Sequence, residues 1–342
     1  MLVLLVAVVS GAWAQDPAKY KITLAEGTED AENWSVPAEA AAGSPVTATY
    51  NGTKKVKSVK AVKVDPLAIP LTIEAITAGS IKVSYLKEGM QYSLNGGAKT
   101  AVTTDEIALN AGDKVQFYGN GTSITSYNNT KITGIGDGFT CKVYGNVMSL
   151  VDEENFATAK TLSADYTFRS LFNGNSTLTD ASGLLLPATQ LAQYCYYQMF
   201  YNCTALTAAP ALPATQLAAS CYRQMFQGCS ALTAAPELPA TQLAAYCYMQ
   251  MFQGCTALTT APVLPAETLV QRCYYQMFRN CSKLATVTCL ATSGIDQNYS
   301  TYNWLTNAGS EAQGTKTVYT VSTAEWPSGN RGIPTGWTRV NK

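Results

Sequence analysis

Residues 212–237 read LPATQLAASCYRQMFQGCSALTAAPE, and this stretch of 26 residues decides the fold because four copies of it follow one another without a gap. The copies begin at Leu186, Leu212, Leu238 and Leu264, and the last one ends at Cys289. Self-similarity at a fixed period of about 20–50 residues indicates stacked repeats, in which each copy buries its apolar face against its neighbours. The second half of the chain is therefore predicted to be a solenoid.

Three positions of the repeat keep the same residue type in every copy, and we expect them to form the core of the stack. These core columns are Cys195, Cys221, Cys247 and Cys273, then Cys203, Cys229, Cys255 and Cys281, then Phe200, Phe226, Phe252 and Phe278.

Within one copy, the spacing of apolar residues predicts one helical and one extended segment. Thr215 is a candidate N-cap, Leu217 and Cys221 lie four positions apart, and Gly228 can end a helix. The segment from Leu232 to Leu238 then returns to the next Leu-Pro. One helical and one extended segment in 26 residues fits the leucine-rich-repeat class, so we predict an α/β leucine-rich-repeat solenoid.

The ends of the stack are less regular than its middle, as is expected for layers that lack one neighbour. A degenerate copy contains Phe168-Arg169-Ser170-Leu171-Phe172, with Thr167 and Asn175 at the two cysteine positions. We predict an N-terminal cap and degenerate repeat over 151–185, four repeats over 186–289, and a C-terminal cap over 290–342.

The repeat motif resembles a known family. Met-Phe-x-x-Cys-x-x-Leu followed by Leu-Pro is similar to the BspA-like leucine-rich repeats of surface or secreted proteins of gut bacteria of the Bacteroidales type. Asn303-Trp304-Leu305 and Gly332-Ile333-Pro334-Thr335-Gly336-Trp337 resemble tails that follow such repeats. The resemblance covers about 120 of 342 residues. It implies a binding role, since several BspA-like proteins are regarded as adhesins for host matrix proteins.

The first half of the chain is predicted to be exported β structure. An apolar run from Leu2 to Val9 precedes Ala12 and Ala14, which form an A-x-A cleavage site, so 1–14 is predicted to be a signal peptide and the mature chain to begin near Gln15. Short alternating stretches with turn residues predict a small β module over 15–65 and an immunoglobulin-like β-sandwich over 66–150. We therefore expect a secreted or cell-surface protein without a membrane span.

The ten cysteines of such a chain can form disulfides or remain thiols. Cys221 and Cys229 would lie roughly 12 Å apart along a helix, whereas disulfides need Cα separations of about 4.4–6.8 Å. Only the column from Cys203 to Cys281 could pair between layers, and buried thiols are the preferred interpretation. A zinc site lacks the close cysteine spacing it needs. Cys141 and Cys289 stand outside both columns.

Composition excludes several classes of function. Lys plus Arg is 23 and Asp plus Glu is 23, so the formal net charge is zero and the basic excess of a nucleic-acid-binding protein is missing. The chain has no histidine, which removes His-dependent triads and imidazole metal ligands. We expect no metal, no cofactor and no enzymatic activity. A hydrolase that uses carboxylates, such as those of Asp152, Glu153 and Glu154, is the weakest interpretation.

Candidate binding residues stand where the copies differ on a constant frame. Three variable rows recur at i, i+3 and i+7 and were expected on one exposed helical stripe, while a fourth lies on the extended side. The candidates are Tyr194, Tyr197, Tyr201, Arg223, Tyr246, Met249, Arg272, Tyr275 and, on the extended side, Glu237. Tyrosine and arginine are typical of binding hot spots. The sequence thus predicts protein–protein binding or adhesion to host or neighbouring-cell proteins, with extracellular carbohydrate binding as the alternative.

Overall fold

The computed structural model describes residues 65–86, 89–120, 130–321 and 323–341, together with the backbone of four short strands before residue 65. The chain divides into two compact units, Met1–Ile69 and Pro70–Lys342. The predicted signal peptide, 1–14, lies outside the described residues. The domain boundaries proposed from the sequence remain predictions.

The first unit contains two small antiparallel pairs of strands. β1 (Lys19–Lys21) pairs with β3 (Glu39–Ala41), and β2 (Trp34–Ser35) pairs with β4 (Thr49–Tyr50). A short 3-10 helix, Pro66–Ala68, follows Asp65, whose side chain accepts a hydrogen bond from the Leu67 amide.

The second unit begins with two sheets that bury side chains in one core. Their strands are β5 (Thr72–Ala75), β6 (Gly79–Ser84), β7 (Gln91–Leu94), β8 (Thr100–Ala101), β9 (Glu106–Leu109), β10 (Lys114–Tyr118), β11 (Lys131–Ile135), β12 (Cys141–Asn146) and β13 (Leu178–Leu185). One sheet has the order β13-β12-β5-β10-β7-β8, and the other has the order β11-β6-β9. Alternation directs Val115 and Phe117 of β10 inward. The chain is thus β-rich, and the immunoglobulin-like assignment remains a prediction.

Strand β13 joins the first sheet to the repeats. It pairs in parallel with β12 through Cys141 and Leu178, and its Asp180 then bridges to Ala208 of the first full copy. Further along the stack, Ala234 bridges to Thr260. At the far end, β14 (Val263–Leu264), β15 (Thr286–Cys289), β16 (Lys316–Thr320) and β17 (Trp337–Asn341) form a parallel four-stranded sheet. The repeats thus continue the strand pairing of the first sheet.

The helix predicted in each copy is wrong. The segment that contains Cys221 and Phe226 is a series of turns, and no α-helix occurs among the described residues. Alternate amides bond within the copy, as from Met225 N to Tyr222 O at 3.2 Å, and the others bond to the next copy, as from Gln224 N to Met249 O at 2.9 Å. We call this segment of each copy the turn ribbon.

Close stacking explains why the turn ribbon replaces a helix. The Phe200 and Phe226 rings lie 5.4 Å apart and those of Phe226 and Phe252 lie 5.7 Å apart, both nearly parallel. Packed helices need about 8–10 Å between their axes, so helices cannot fit in layers at the spacing of hydrogen-bonded strands. We refer to each turn of the stack as a layer. The degenerate copy is layer 1, the four full copies are layers 2–5, and the segment around Tyr299 and Trp304 is layer 6.

Continuous columns of buried side chains hold the layers together. Both cysteine columns and the phenylalanine column are fully buried, and a tyrosine column that the sequence analysis did not single out lies beside them. Its members are Tyr196, Tyr222, Tyr248 and Tyr274, with ring centroids 5.5–6.2 Å apart.

The C-terminal cap is closed by the tail motifs noted above. Trp304 is buried in layer 6, stacks on Trp326 at 5.5 Å, and donates its indole N–H to the Gly332 carbonyl. Short 3-10 helices, Gln297–Tyr299 and Gly329–Arg331, flank this contact. The two tail motifs therefore bind each other and cover the last layer.

Candidate binding surface

The turn ribbon projects two adjacent columns of variable side chains, which we call the tyrosine–arginine stripe. From layer 1 to layer 6, the pairs are Tyr166 and Arg169, Tyr194 and Tyr197, Ser220 and Arg223, Tyr246 and Met249, Arg272 and Tyr275, and Tyr299 and Tyr302. The structure thus brings eight of the nine candidate residues into one ribbon, including Tyr201 four residues beyond Tyr197. Met249 is only 8% exposed, so it offers little surface to a partner.

Left-handed backbone positions shape this surface. Tyr194, Tyr246 and Arg272 all have positive φ values, between 49° and 60°. A left-handed conformation costs a non-glycine residue about 1–2 kcal/mol, and hydrogen bonds on both sides of each layer oppose that cost. The positions of these side chains are therefore imposed by the stack.

Rings and guanidinium groups cover one another along the stripe. The Tyr166 and Tyr194 rings stack at 4.8 Å with an angle of 8° between them. The Arg223 guanidinium lies 5.4 Å from the Tyr197 ring centroid. Arg272 lies 5.4–5.7 Å from three rings, those of Tyr246, Tyr275 and Tyr299. Cation–π contacts of this kind hold the side chains in place.

Two arginines of the stripe, Arg223 and Arg272, and Arg279 beside it on the same turn ribbon have no carboxylate partner in the described chain. Arg223, Arg272 and Arg279 form no ion pair or hydrogen bond through their side chains with any described residue. The Nε atom of each is buried without a hydrogen-bond partner in that part of the chain. Guanidinium groups in this state favour an anionic ligand, because a charge-assisted hydrogen bond would satisfy them.

A ladder of amide side chains runs beside the stripe and stiffens it. Gln198 donates to Gln224 at 3.1 Å, Gln224 donates to Gln250 at 3.2 Å, and Gln250 donates to Gln276 at 3.0 Å. All four glutamines have positive φ. Each layer of the binding surface is therefore fixed to the next through side chains as well as backbone.

Glu237 does not join the stripe. It is exposed on the extended side, where its equivalents in the next copies are Val263 of β14 and Cys289 of β15. Val263 is 43% exposed and Cys289 is fully buried, so the row does not form one surface.

Sequence reasoning missed four members of the stripe: Tyr166, Arg169, Tyr299 and Tyr302. The first two could have been found, because Thr167 stands at the first cysteine position and places Tyr166 and Arg169 in register with Tyr194 and Tyr197. The other two carry no repeat motif. The bond from Arg272 N to Asn298 O and the stacking of Tyr302 on Tyr275 at 5.8 Å show that they continue the two columns.

A shallow cavity of about 200 Å³ lies at the layer 6 end of the stripe. Tyr299, Tyr302 and Arg331 contribute to its lining, and Arg331 pairs with Asp296 at 3.4 Å. Tyr299 is 51% exposed. The cavity is smaller than an ordinary pocket of about 300–1,000 Å³ for a small molecule, so it suits the end of a larger ligand.

The ten cysteines are buried free thiols. Burial raises the pKa of the Cys221 and Cys273 thiols to about 12. In the second column, the Sγ of Cys229 donates to the Phe200 carbonyl at 3.0 Å, and the other three cysteines of that column make the same contact in register. A protonated thiol at these positions is thus a hydrogen-bond donor between layers.

The acidic segment considered for catalysis has a structural role at one position. Asp152 accepts hydrogen bonds from the Glu154 and Asn155 amides, and the bonds from Asn155 lower the pKa of the Asp152 carboxyl. It closes a turn. No three His, Cys, Asp or Glu side chains of the described chain converge as metal ligands, and none of its helices is long and apolar enough to cross a membrane.

Comparison with protein-family models, with curated proteins and with solved structures finds no match to this chain.

Proposed function

We propose that this protein is a non-catalytic adhesion protein of the leucine-rich-repeat type, exported to the cell surface or medium, and that it binds through the tyrosine–arginine stripe. The BspA-like resemblance of the repeats supports the class, and the A-x-A site supports export. The observation that carries the binding role is a set of six consecutive layers that present tyrosine and arginine on a rigid frame. Such residues supply most of the energy of macromolecular interfaces.

Rigidity matters for this function, because binding energy is lost when side chains must be ordered on contact. Immobilising a flexible side chain costs about 0.5–1.5 kcal/mol at an interface. In the stripe, ring stacking and cation–π contacts already order Tyr194, Tyr197 and Arg272. A partner would therefore bind without that cost.

The experiment compares two faces of the same stack. Beads coated with the chain from Gln15 onward are tested for attachment to immobilised extracellular matrix. Replacement of Tyr194, Tyr197 and Tyr246 by alanine should weaken attachment at least ten-fold. The matched control replaces Thr233, Glu237 and Val263 on the extended side. Equal loss in both variants, or loss only in the control, would contradict the proposal.

Extracellular carbohydrate binding is a second candidate. A specific observation favours it: Arg223 and Arg272 have no carboxylate partner among the described residues, while the hydroxyls of Tyr194, Tyr197 and Tyr246 make no hydrogen bond there. Sugar hydroxyls and acidic groups could satisfy both. Attachment that disappears when the matrix is treated with glycan-degrading enzymes would support this candidate over a protein partner.

A further inference from the structure

We propose that the stripe binds an acidic polysaccharide in which charged and neutral sugars alternate. The inference rests on the second of the two proposed functions and adds the chemical class of its ligand. It starts from the order of side chains along the stack. Arg169 lies in layer 1, Arg223 in layer 3 and Arg272 in layer 5, whereas layers 2, 4 and 6 present tyrosines without an arginine.

The layer spacing converts this order into a distance. Neighbouring layers are hydrogen-bonded, as strands about 4.8 Å apart are, so arginines in every second layer are separated by about 10 Å along the stack. Arg169 and Arg223 share one column of the stripe, and Arg272 lies in the adjacent column. The ring separations between neighbouring layers are close to that spacing: Phe200 to Phe226 is 5.4 Å, and Phe226 to Phe252 is 5.7 Å. The length of one sugar in an extended β-linked chain is about equal to the spacing between neighbouring layers. A polymer with one carboxylate per disaccharide therefore matches the arginine spacing.

Two other polyanions match less well. In an extended peptide, side chains on the same face repeat about every 6.7 Å, which falls out of register with the arginines within one step. A polysaccharide that is charged on every sugar would place each second carboxylate against a layer without an arginine. An alternating polymer places its carboxylates at the layers that carry an arginine of the stripe and its neutral sugars at the layers that do not.

The intervening layers offer what neutral sugars require. The Tyr166 and Tyr194 rings cover one face of each other, and both side chains remain partly exposed. The hydroxyls of Tyr194, Tyr197 and Tyr246 make no hydrogen bond within the described part of the chain. They can donate to the hydroxyl and amide oxygens of an uncharged sugar. The cavity beside Tyr299 would receive the end of the chain.

The guanidinium groups of Arg223 and Arg272 are held in place and have hydrogen-bond donors available for a carboxylate. Arg272 is held by three rings, and its Nε atom is buried without a hydrogen-bond partner in the described chain. Arg223 is held against Tyr197 and has the same unsatisfied Nε atom. An Nε–H and an Nη–H of one guanidinium together form the fork that binds a carboxylate through two hydrogen bonds.

The test measures binding of three soluble polyanions to the chain from Gln15 onward by calorimetry at fixed salt. The probes are hyaluronan oligosaccharides, which alternate a uronate with a neutral amino sugar, polygalacturonate oligomers of equal charge, and poly-glutamate of equal charge. We expect hyaluronan to bind at least ten-fold more tightly than the other two. Equal binding of all three would show non-specific attraction, and a preference for poly-glutamate would show an acidic peptide site; either overturns the proposal.

Variants link the binding to the stripe. Arg223→Gln and Arg272→Gln should each weaken hyaluronan binding by about ten-fold or more, since each removes a charge-assisted contact. Lys283→Gln is the matched control, because it removes one exposed positive charge outside the stripe and should change the affinity less than two-fold. Unchanged near-ultraviolet circular dichroism shows that each variant is folded. If attachment to matrix protein persists while hyaluronan does not bind, this inference fails and the adhesion proposal stands.

Discussion

Raising the pH above 9 should unfold this protein, because its thiols are protonated only while they remain buried. An ordinary thiol has a pKa of 9.0, whereas burial raises the pKa of Cys141 to about 11. Burial also raises five further thiol pKa values to about 12, those of Cys203, Cys221, Cys273, Cys281 and Cys289.

The sign follows from proton linkage. A pKa raised in the folded state stabilises the fold below the unfolded pKa, and this stabilisation is lost as the pH rises toward the folded pKa. At pH 10, ionisation of the unfolded chain costs the fold about 1.4 kcal/mol per thiol. The six thiols together cost about 8 kcal/mol, which is comparable to a typical stability of about 5–15 kcal/mol. The remaining four cysteines shift in the same direction.

The assay is denaturant unfolding of the reduced protein at a series of pH values, followed by near-ultraviolet circular dichroism. The free energy of unfolding should be nearly constant from pH 7 to pH 8.5 and should then fall steeply, with loss of structure between about pH 9.5 and 10.5. Cys221→Ala should reduce the slope above pH 9 by about 1.4 kcal/mol per pH unit. Met225→Ala, which removes an equally buried group without a titrating proton, should lower stability at every pH and leave the slope unchanged. Thiolate absorbance that rises near pH 9 while the dichroism stays native would refute the reasoning.

Three further outcomes are expected. Phe226→Ala should lower the free energy of unfolding by about 3–5 kcal/mol in urea titrations, because Phe226 is fully buried between two stacked rings. Phe226→Leu should cost less than half as much. Equal costs for the two variants would argue against the packing described. At Gly254, where φ is 76°, Gly254→Asn should change the free energy of unfolding by no more than about 0.5 kcal/mol, because Asn202 and Asn280 occupy the same position in other copies. Gly254→Val should cost about 1–2 kcal/mol in thermal unfolding. A tolerated valine would exclude the left-handed conformation at this position. Burial opposes ionisation of Glu74, but Lys142 and Lys114 outweigh it, so the pKa of the Glu74 carboxyl is lowered. Glu74→Gln should therefore lower the free energy of unfolding by up to about 1 kcal/mol at pH 7 and leave it unchanged well below pH 4. A loss of stability that persists in acid would point to packing instead.

The helix was predicted wrongly for a physical reason that can be read from burial. In the second full copy, the buried residues are Cys221 and Tyr222, Met225 and Phe226, and then Cys229, which is a period of four. An α-helix has a period of about 3.6 residues, so over this segment the two patterns differ by less than one position. The spacing of buried residues within one copy therefore cannot distinguish an α-helix from the turn ribbon when the segment is this short.

What does separate them is the distance between layers, which is a tertiary property. Hydrogen bonds such as those from Phe226 N to Met251 O and from Gly228 N to Gln253 O join one copy to the next. A helix would use these amides internally and would need a wider spacing. Ser220 and Gln224 have positive φ because the stack requires it, and neither residue type by itself predicts that conformation.

The sequence by itself determined the number of copies, their boundaries, the two cysteine columns and the phenylalanine column of the core, and which positions vary. A period of 26 residues and invariant Cys and Phe positions carry that information directly. Only the tertiary structure decided that the copies stack as β-rich turns, that Tyr299 and Tyr302 extend the stripe, and that Arg223 and Arg272 stay without carboxylate partners within the described chain. The reason is that backbone conformation and electrostatic pairing depend on neighbouring layers, and a residue's neighbours across layers are set by stacking rather than by its own segment.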